Sequence, residues 1–194
     1  MKTMRIIIVA VGGQGNLLAS KILGEAALLS NISFRMSEIH GMAQRGGVVE
    51  SSVVLGNAES PIISNGEADI LLGFEPSETL RALNKCNKNT FVITNLAPII
   101  PFTVAIGKGK YPDINNLQNL IKEKVARFIA FDALRLAKEA GNVMALNMVL
   151  LGALSGANIL PISKENFEKA IFDTVKKSFV DLNLRAFQLG FEAI

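Results

Sequence analysis

Several residue types are nearly missing from this 194-residue chain. There is one cysteine, Cys86, so no internal disulfide can form, and neither a cysteine-held iron–sulfur cluster nor a structural zinc site fits within it. There is one histidine, His40, so no set of histidine ligands can gather around a metal. Tryptophan is absent and tyrosine occurs once, which leaves few platforms for stacking bases. Lysine and arginine number 20 against 17 aspartate and glutamate, a balance too even to argue for nucleic acid. No apolar run reaches the ~20 residues of a membrane span. The longest, from Val143 to Leu160, is broken by Asn147, Ser155 and Asn158. The N-terminal run Ile6–Val11 ends in glycines without a cleavage site and reads as a buried strand, not a signal peptide. A cytoplasmic protein is the expectation.

What is present is apolar: hydrophobic residues make up 49% of the chain. That suits one domain spanning 1–194, with no Gly/Ser/Pro-rich linker and no repeat. Ile6–Val11 is a β-branched run expected in a strand covered on both faces. Gly12–Gly13–Gln14–Gly15 follows, and then Leu18, Ile22, Ala26 and Leu29 recur at helical spacing, so the segment reads as strand, turn and helix. Strands are predicted near 32–36, 48–55, 69–74, 91–94 and 126–131, with an edge strand at Thr103–Ile106 in a proline-rich loop. Helices are predicted after Glu75–Pro76, over 132–140, and through most of 143–156 and 164–190, with a cap at Ser163. The alternation predicts an α/β fold: a Rossmann-like three-layer sandwich, a mostly parallel sheet flanked by helices, with a helical C-terminal third.

Two glycine-rich segments could carry chemistry. The first turn presents backbone N–H groups at a helix start, which suits phosphate or carboxylate. As a dinucleotide fingerprint it is incomplete, because Leu18 stands where the third glycine belongs and the acidic residue, Glu38, comes late. The alternative is a tight turn that merely lets helix and strand pack. The second segment, Ser37 to Gly47, gathers Glu38, His40, Gln44 and Arg45 among glycines after a strand. His40 brings the one imidazole of the chain, and Arg45 can grip an anion bidentately. A solvated loop with ordinary ion pairs fits the same composition.

Three lone polar residues have plainer readings. Asn147, on an otherwise apolar helix, either ties that helix to a neighbouring backbone or lines a site. Cys86, flanked by Lys85 and Lys88, reads as a surface cysteine rather than a nucleophile. Asp132 reads as a helix cap. No nucleophile elbow, P-loop, zinc-binding helix or kinase signature occurs. The chain lacks a self-sufficient catalytic set, which suggests a subunit of something larger.

Val11–Gly15 with Leu18–Leu23, Ser37–Glu38 with His40–Gly47, Phe74–Glu75–Pro76 with Glu78, and Asn147–Met148 with Leu150–Ala153 together resemble the gamma-type subunit of 2-oxoacid:ferredoxin oxidoreductases, and within that family the indolepyruvate branch. The resemblance runs from residue 6 to about 190. It implies an enzyme that oxidatively decarboxylates a 2-oxoacid on thiamine diphosphate with magnesium, passes electrons through 4Fe-4S clusters to ferredoxin, and makes an acyl-coenzyme A. It also implies that thiamine and clusters belong to partner subunits, which suits a chain with one cysteine and no thiamine motif. By the same resemblance Gly12, Gly13, Gln14 and Gly15 would cradle an anion such as a coenzyme A phosphate. His40, Gln44, Arg45 and Gly46 would face the active site or the partner. Asn16 departs from the apolar residue expected after the turn and is read as a possible cap. Two other classes stay open on the residues alone: a free-standing Rossmann-type nucleotide-binding oxidoreductase, and a non-catalytic adaptor domain.

Overall fold

In the computed structural model, which describes residues 2–41 and 47–194, a six-stranded sheet is covered on both faces by helices. The strands are β1 (Met4–Val11), β2 (Phe34–His40), β3 (Val48–Leu55), β4 (Ala68–Gly73), β5 (Cys86–Asn95) and β6 (Arg127–Phe131), in spatial order β2-β3-β1-β4-β5-β6. β1, β4, β5 and β6 are parallel neighbours. β3 alone runs the other way, pairing antiparallel with β1 and β2. β2 therefore points the same way as β1, and the sheet is mixed rather than uniformly parallel.

The layers are unequal. One face packs on α1 (Asn16–Leu29), α5 (Ala133–Ala140), α6 (Leu146–Gly156), α7 (Lys164–Thr174) and α8 (Val180–Glu192) around Ile6, Ile8, Leu72, Ile93, Phe167 and Phe187. The other face is covered by α2 (Pro76–Arg81) and α4 (Ile114–Lys124) over Ile7, Val9, Leu71 and Val92. Strand residues alternate between these two cores, as the period of 2 demands, and both cores are apolar. That is why Ile6–Val9 are all buried and read as an unbroken hydrophobic run.

Two expectations need correction. Thr103–Ile106 is no edge strand; Phe102–Ala105 is a single helical turn, α3, and β6 takes the place beside β5. α4 was not anticipated, although Asp113 caps it by accepting from the Asn116 N–H (2.9 Å). The caps foreseen at Asp132 and Ser163 are present, each accepting from a first-turn N–H. Among the described residues no helix is long and apolar enough to cross a membrane.

Candidate functional site

Because β1, β2, β4, β5 and β6 share a direction, their carboxyl ends share one rim, where α/β sheets place their ligands. The glycine turn leaves β1 there, Gly41 follows β2 there, and Gly47 precedes β3 there. One bond ties the turn to this edge, the Gly12 N–H donating to the Gly47 carbonyl (2.8 Å), while the Gly41 N–H donates to the Val48 carbonyl (2.8 Å) and extends the β2–β3 pairing by one step.

The turn is held from within. The Val11 N–H donates to Gln14 Oε1 (2.8 Å), and Gln14 Nε2 donates to the Phe74 carbonyl (3.0 Å), which joins the ends of β1 and β4. The Gln14 N–H donates to the Val11 carbonyl (3.1 Å). Gln14 is thus a structural staple, with its side chain and N–H both engaged. Gly13 and Gly15 adopt positive φ (102° and 78°), and among the described residues a Cβ on Gly13 would meet nothing within 4 Å. Gly15 occupies the cap position of α1, and no side chain caps that helix. Asn16 is the first helical residue and not the cap: its amide donates inward to the carbonyls of Ile8 (3.2 Å) and Val49 (3.0 Å). Among the described residues no side chain bonds the first N–H groups of α1, the groups that a helix start leaves without an intrahelical partner.

His40 is exposed at the end of β2. Its Nε2 lies 3.6 Å from Glu38 Oε2, while Glu38 Oε1 accepts from the Ser51 hydroxyl (3.2 Å) on the neighbouring strand. Gln44, Arg45 and Gly46 lie outside the described residues. Asn147 ties its helix to a neighbouring backbone, the first of its two readings. Its Nδ2 donates to the Gly15 carbonyl (3.2 Å), tying α6 to the turn, and the residue also lines a cavity of about 450 Å³ with Gly15, Leu18, Met144, Phe179 and Asn183.

Two features escaped the sequence. Glu75 is 1% exposed yet fully engaged: it caps α2 by accepting from the Glu78 N–H (3.0 Å) and accepts from the Ile99 N–H (3.2 Å) and the Tyr111 hydroxyl. A glutamate directly before Pro76 was the available signal, since proline favours the first helical position. Burial, reinforced by that hydrogen bond to Glu75, pushes the Tyr111 phenol above its ordinary range. Burial also raises the Glu78 carboxyl, against the lowering effect of Arg81. Cys86 is buried, not superficial, and burial pushes its thiol up to about 11, outweighing nearby lysine charge. Among the described residues no three histidine, cysteine or acidic side chains cluster as a metal site would require.

A mixed six-stranded sheet with helices on both faces and a glycine turn at its carboxyl rim is an α/β sandwich of the doubly wound class. The particular family follows from comparison. The model of the pyruvate ferredoxin/flavodoxin oxidoreductase family matches residues 5–193, and the chain belongs to that family. It is 41% identical to the indolepyruvate oxidoreductase subunit IorB of Archaeoglobus fulgidus, over 97% of this chain and 94% of that protein. Among solved structures it resembles the gamma subunit of a keto/oxoacid ferredoxin oxidoreductase from Geobacter sulfurreducens (TM-score 0.71, 28% identity, 97% and 96% of the two chains). The same fold recurs in 2-oxoglutarate:ferredoxin oxidoreductase from Magnetococcus marinus (TM-score 0.74, 20% identity), where it matches all of this chain and 32% of the longer one.

Proposed function

We propose that this chain is the small subunit of a cytoplasmic, thiamine-dependent 2-oxoacid:ferredoxin oxidoreductase of the indolepyruvate type. Its carboxyl rim forms half of a site that a larger companion subunit completes. The observation that carries this reading is the hydrogen bond between Gly12 and Gly47, which holds the two glycine segments on one edge. In the complex, the companion's thiamine diphosphate with magnesium supplies decarboxylation, and its 4Fe-4S clusters lead electrons to ferredoxin. This chain's own part is to bind and orient. The backbone at Gly13 and the start of α1 receives a phosphate of coenzyme A, while Gly15, packed against Asn147, fixes the direction in which α1 begins. The cavity beside Gly15 shelters an apolar part of the same molecule from water. His40, held by Glu38, faces the companion with Gln44, Arg45 and Gly46.

Reconstitution tests this. The purified chain is mixed with the thiamine-containing companion from the same source, and ferredoxin reduction is followed with indolepyruvate and coenzyme A. Gly13→Val is expected to raise the KM for coenzyme A at least tenfold while the KM for indolepyruvate stays unchanged. A β-branched side chain resists a φ of 102° and fills the space above the backbone. Failure to form a complex, or an unchanged KM for coenzyme A in a folded variant, refutes the reading.

A further inference from the structure

Between β5 and α4 the chain makes an excursion over residues 97–111 in which no residue is buried. Its root is nonetheless firmly set. Asn95, 1% exposed, donates through Nδ2 to the carbonyls of Phe74 (3.1 Å) and Ala97 (3.0 Å), and its Oδ1 accepts from the Ala97 N–H (3.1 Å) and the Ala133 N–H (3.1 Å). Glu75 then grips the excursion from below, through the Ile99 N–H and the Tyr111 hydroxyl at its far end. Both anchors stand at carboxyl ends of strands, so the excursion rises from the rim that carries the glycine turn.

What this held segment presents is apolar. Ile99 is 42% exposed, Ile100 48%, Phe102 76% and Ile106 46%. Single exposed hydrophobes are ordinary, but four large ones within eight residues form a patch of the kind that marks an interaction surface. Lys108 and Lys110 flank it, and residues 97–111 contain no aspartate or glutamate.

We infer that residues 97–111 are a docking arm for the companion subunit, its apolar tip seated in a groove of that subunit rimmed by acidic side chains. This rests on the functional reading above. Three observations favour the companion over a second copy of this chain. The arm stands on the rim that a second polypeptide must close. The same fold occurs as 32% of one longer chain, so in that protein it is covalently joined to further polypeptide and not only to copies of itself. A two-fold contact between two arms would set Lys108 and Lys110 of one copy near those of the other, and like charges facing each other are destabilising.

The test measures affinity of the full chain for the purified companion, by interferometry at two salt concentrations, beside sedimentation of the chain alone. The double variant Phe102→Ser/Ile106→Ser is expected to weaken binding at least tenfold with an unchanged melting temperature of the free chain, since neither side chain is buried. Lys108→Glu/Lys110→Glu is expected to weaken binding at low salt and to flatten its salt dependence. Ile62→Ser, 75% exposed but preceding β4 at the opposite rim, is the control and is expected to bind as wild type. Equal binding by the wild type and both double variants overturns the arm while leaving the functional reading intact. A wild-type dimer that the Phe102/Ile106 variant splits, with companion affinity unchanged, assigns the arm to a second copy and overturns the inference. A wild-type chain that binds no companion overturns both.

Discussion

Gly15 and Asn147 are 132 positions apart in the chain yet occupy one contact. A Cβ added to Gly15 would lie 2.5 Å from Asn147 Nδ2, and the residue's φ of 78° already disfavours any side chain. Gly15→Ala is therefore expected to lower unfolding free energy by about 1–3 kcal/mol in a urea melt. Asn147→Ala in that background should restore part of the loss by removing the clash, so the double variant falls short of the sum of the singles. Cys86 makes a prediction in pH. Its thiol is raised to about 11, above the ~8.5 of an unfolded chain. The folded state thus holds a proton that the unfolded state releases, a contribution present below about pH 8.5 and lost as pH rises toward 11. The urea midpoint is expected to fall across that window in the wild type, and to fall less in Cys86→Ala. Neither contact was open to a linear reading. That Asn147 needs a backbone partner follows from its apolar neighbours, but which backbone depends on how α6 lies against the turn. Cys86 looked superficial because lysines and asparagines flank it, whereas Cys86 pairs with the buried Ala68 where β5 begins and joins the core under α2 and α4, a placement set by a partner strand and not by its neighbours in sequence.

At the scale of elements, β1 and β3 were legible because β-branched runs bounded by glycine leave few alternatives, and Val48–Leu55 was placed to the residue. α4 was legible in principle. Asp113 caps it, and Leu117 and Ile121 recur at i, i+4 as its only buried side chains, but two apolar positions in eleven residues rich in Asn, Gln, Lys and Glu are a faint pattern, and the stretch between the proline-rich loop and the last strand was given no element. Thr103–Ile106 was misread because Thr, Val and Ile favour strands locally, while a strand also needs a neighbour, and β6 had taken that edge. What no pattern announces is how closely α6 and α8 approach. A Cβ on Gly190 would stand 1.9 Å from the Val149 carbonyl oxygen, and one on Gly152 would stand 1.9 Å from that of Phe187. Helix propensity alone would make Gly190→Ala stabilising by up to about 1 kcal/mol. Backbone cannot yield as a flexible side chain can, so overpacking is expected to win, with a net loss of about 2–4 kcal/mol in thermal or urea unfolding.

At the scale of the molecule, the two faces of the sheet are unequally secured, and this sets where the protein opens. The face under α1, α6 and α8 is a continuous apolar core. On the other face α4 orders eleven residues but sinks only Leu117 and Ile121. Burying two such side chains contributes about 3–6 kcal/mol, less than the ~1–2 kcal/mol per residue needed to order the helix backbone, so α4 depends on its hydrogen bonds and on the sheet beneath it. The docking arm leads directly into α4 at Asp113, so arm and helix form one weakly held unit on the rim. Native-state hydrogen exchange is expected to show α4 amides opening locally, well before those of β1, α6 and α8, which should exchange only with global unfolding. Leu117→Ala should speed exchange in α4 without moving β1. Addition of the companion subunit should slow exchange across 97–124, because a partner that seats the arm also closes the weakest edge of the second face. Protection that rises instead over β2 and the 40–47 segment, with α4 unaltered, would mean that the rim is closed from its other end.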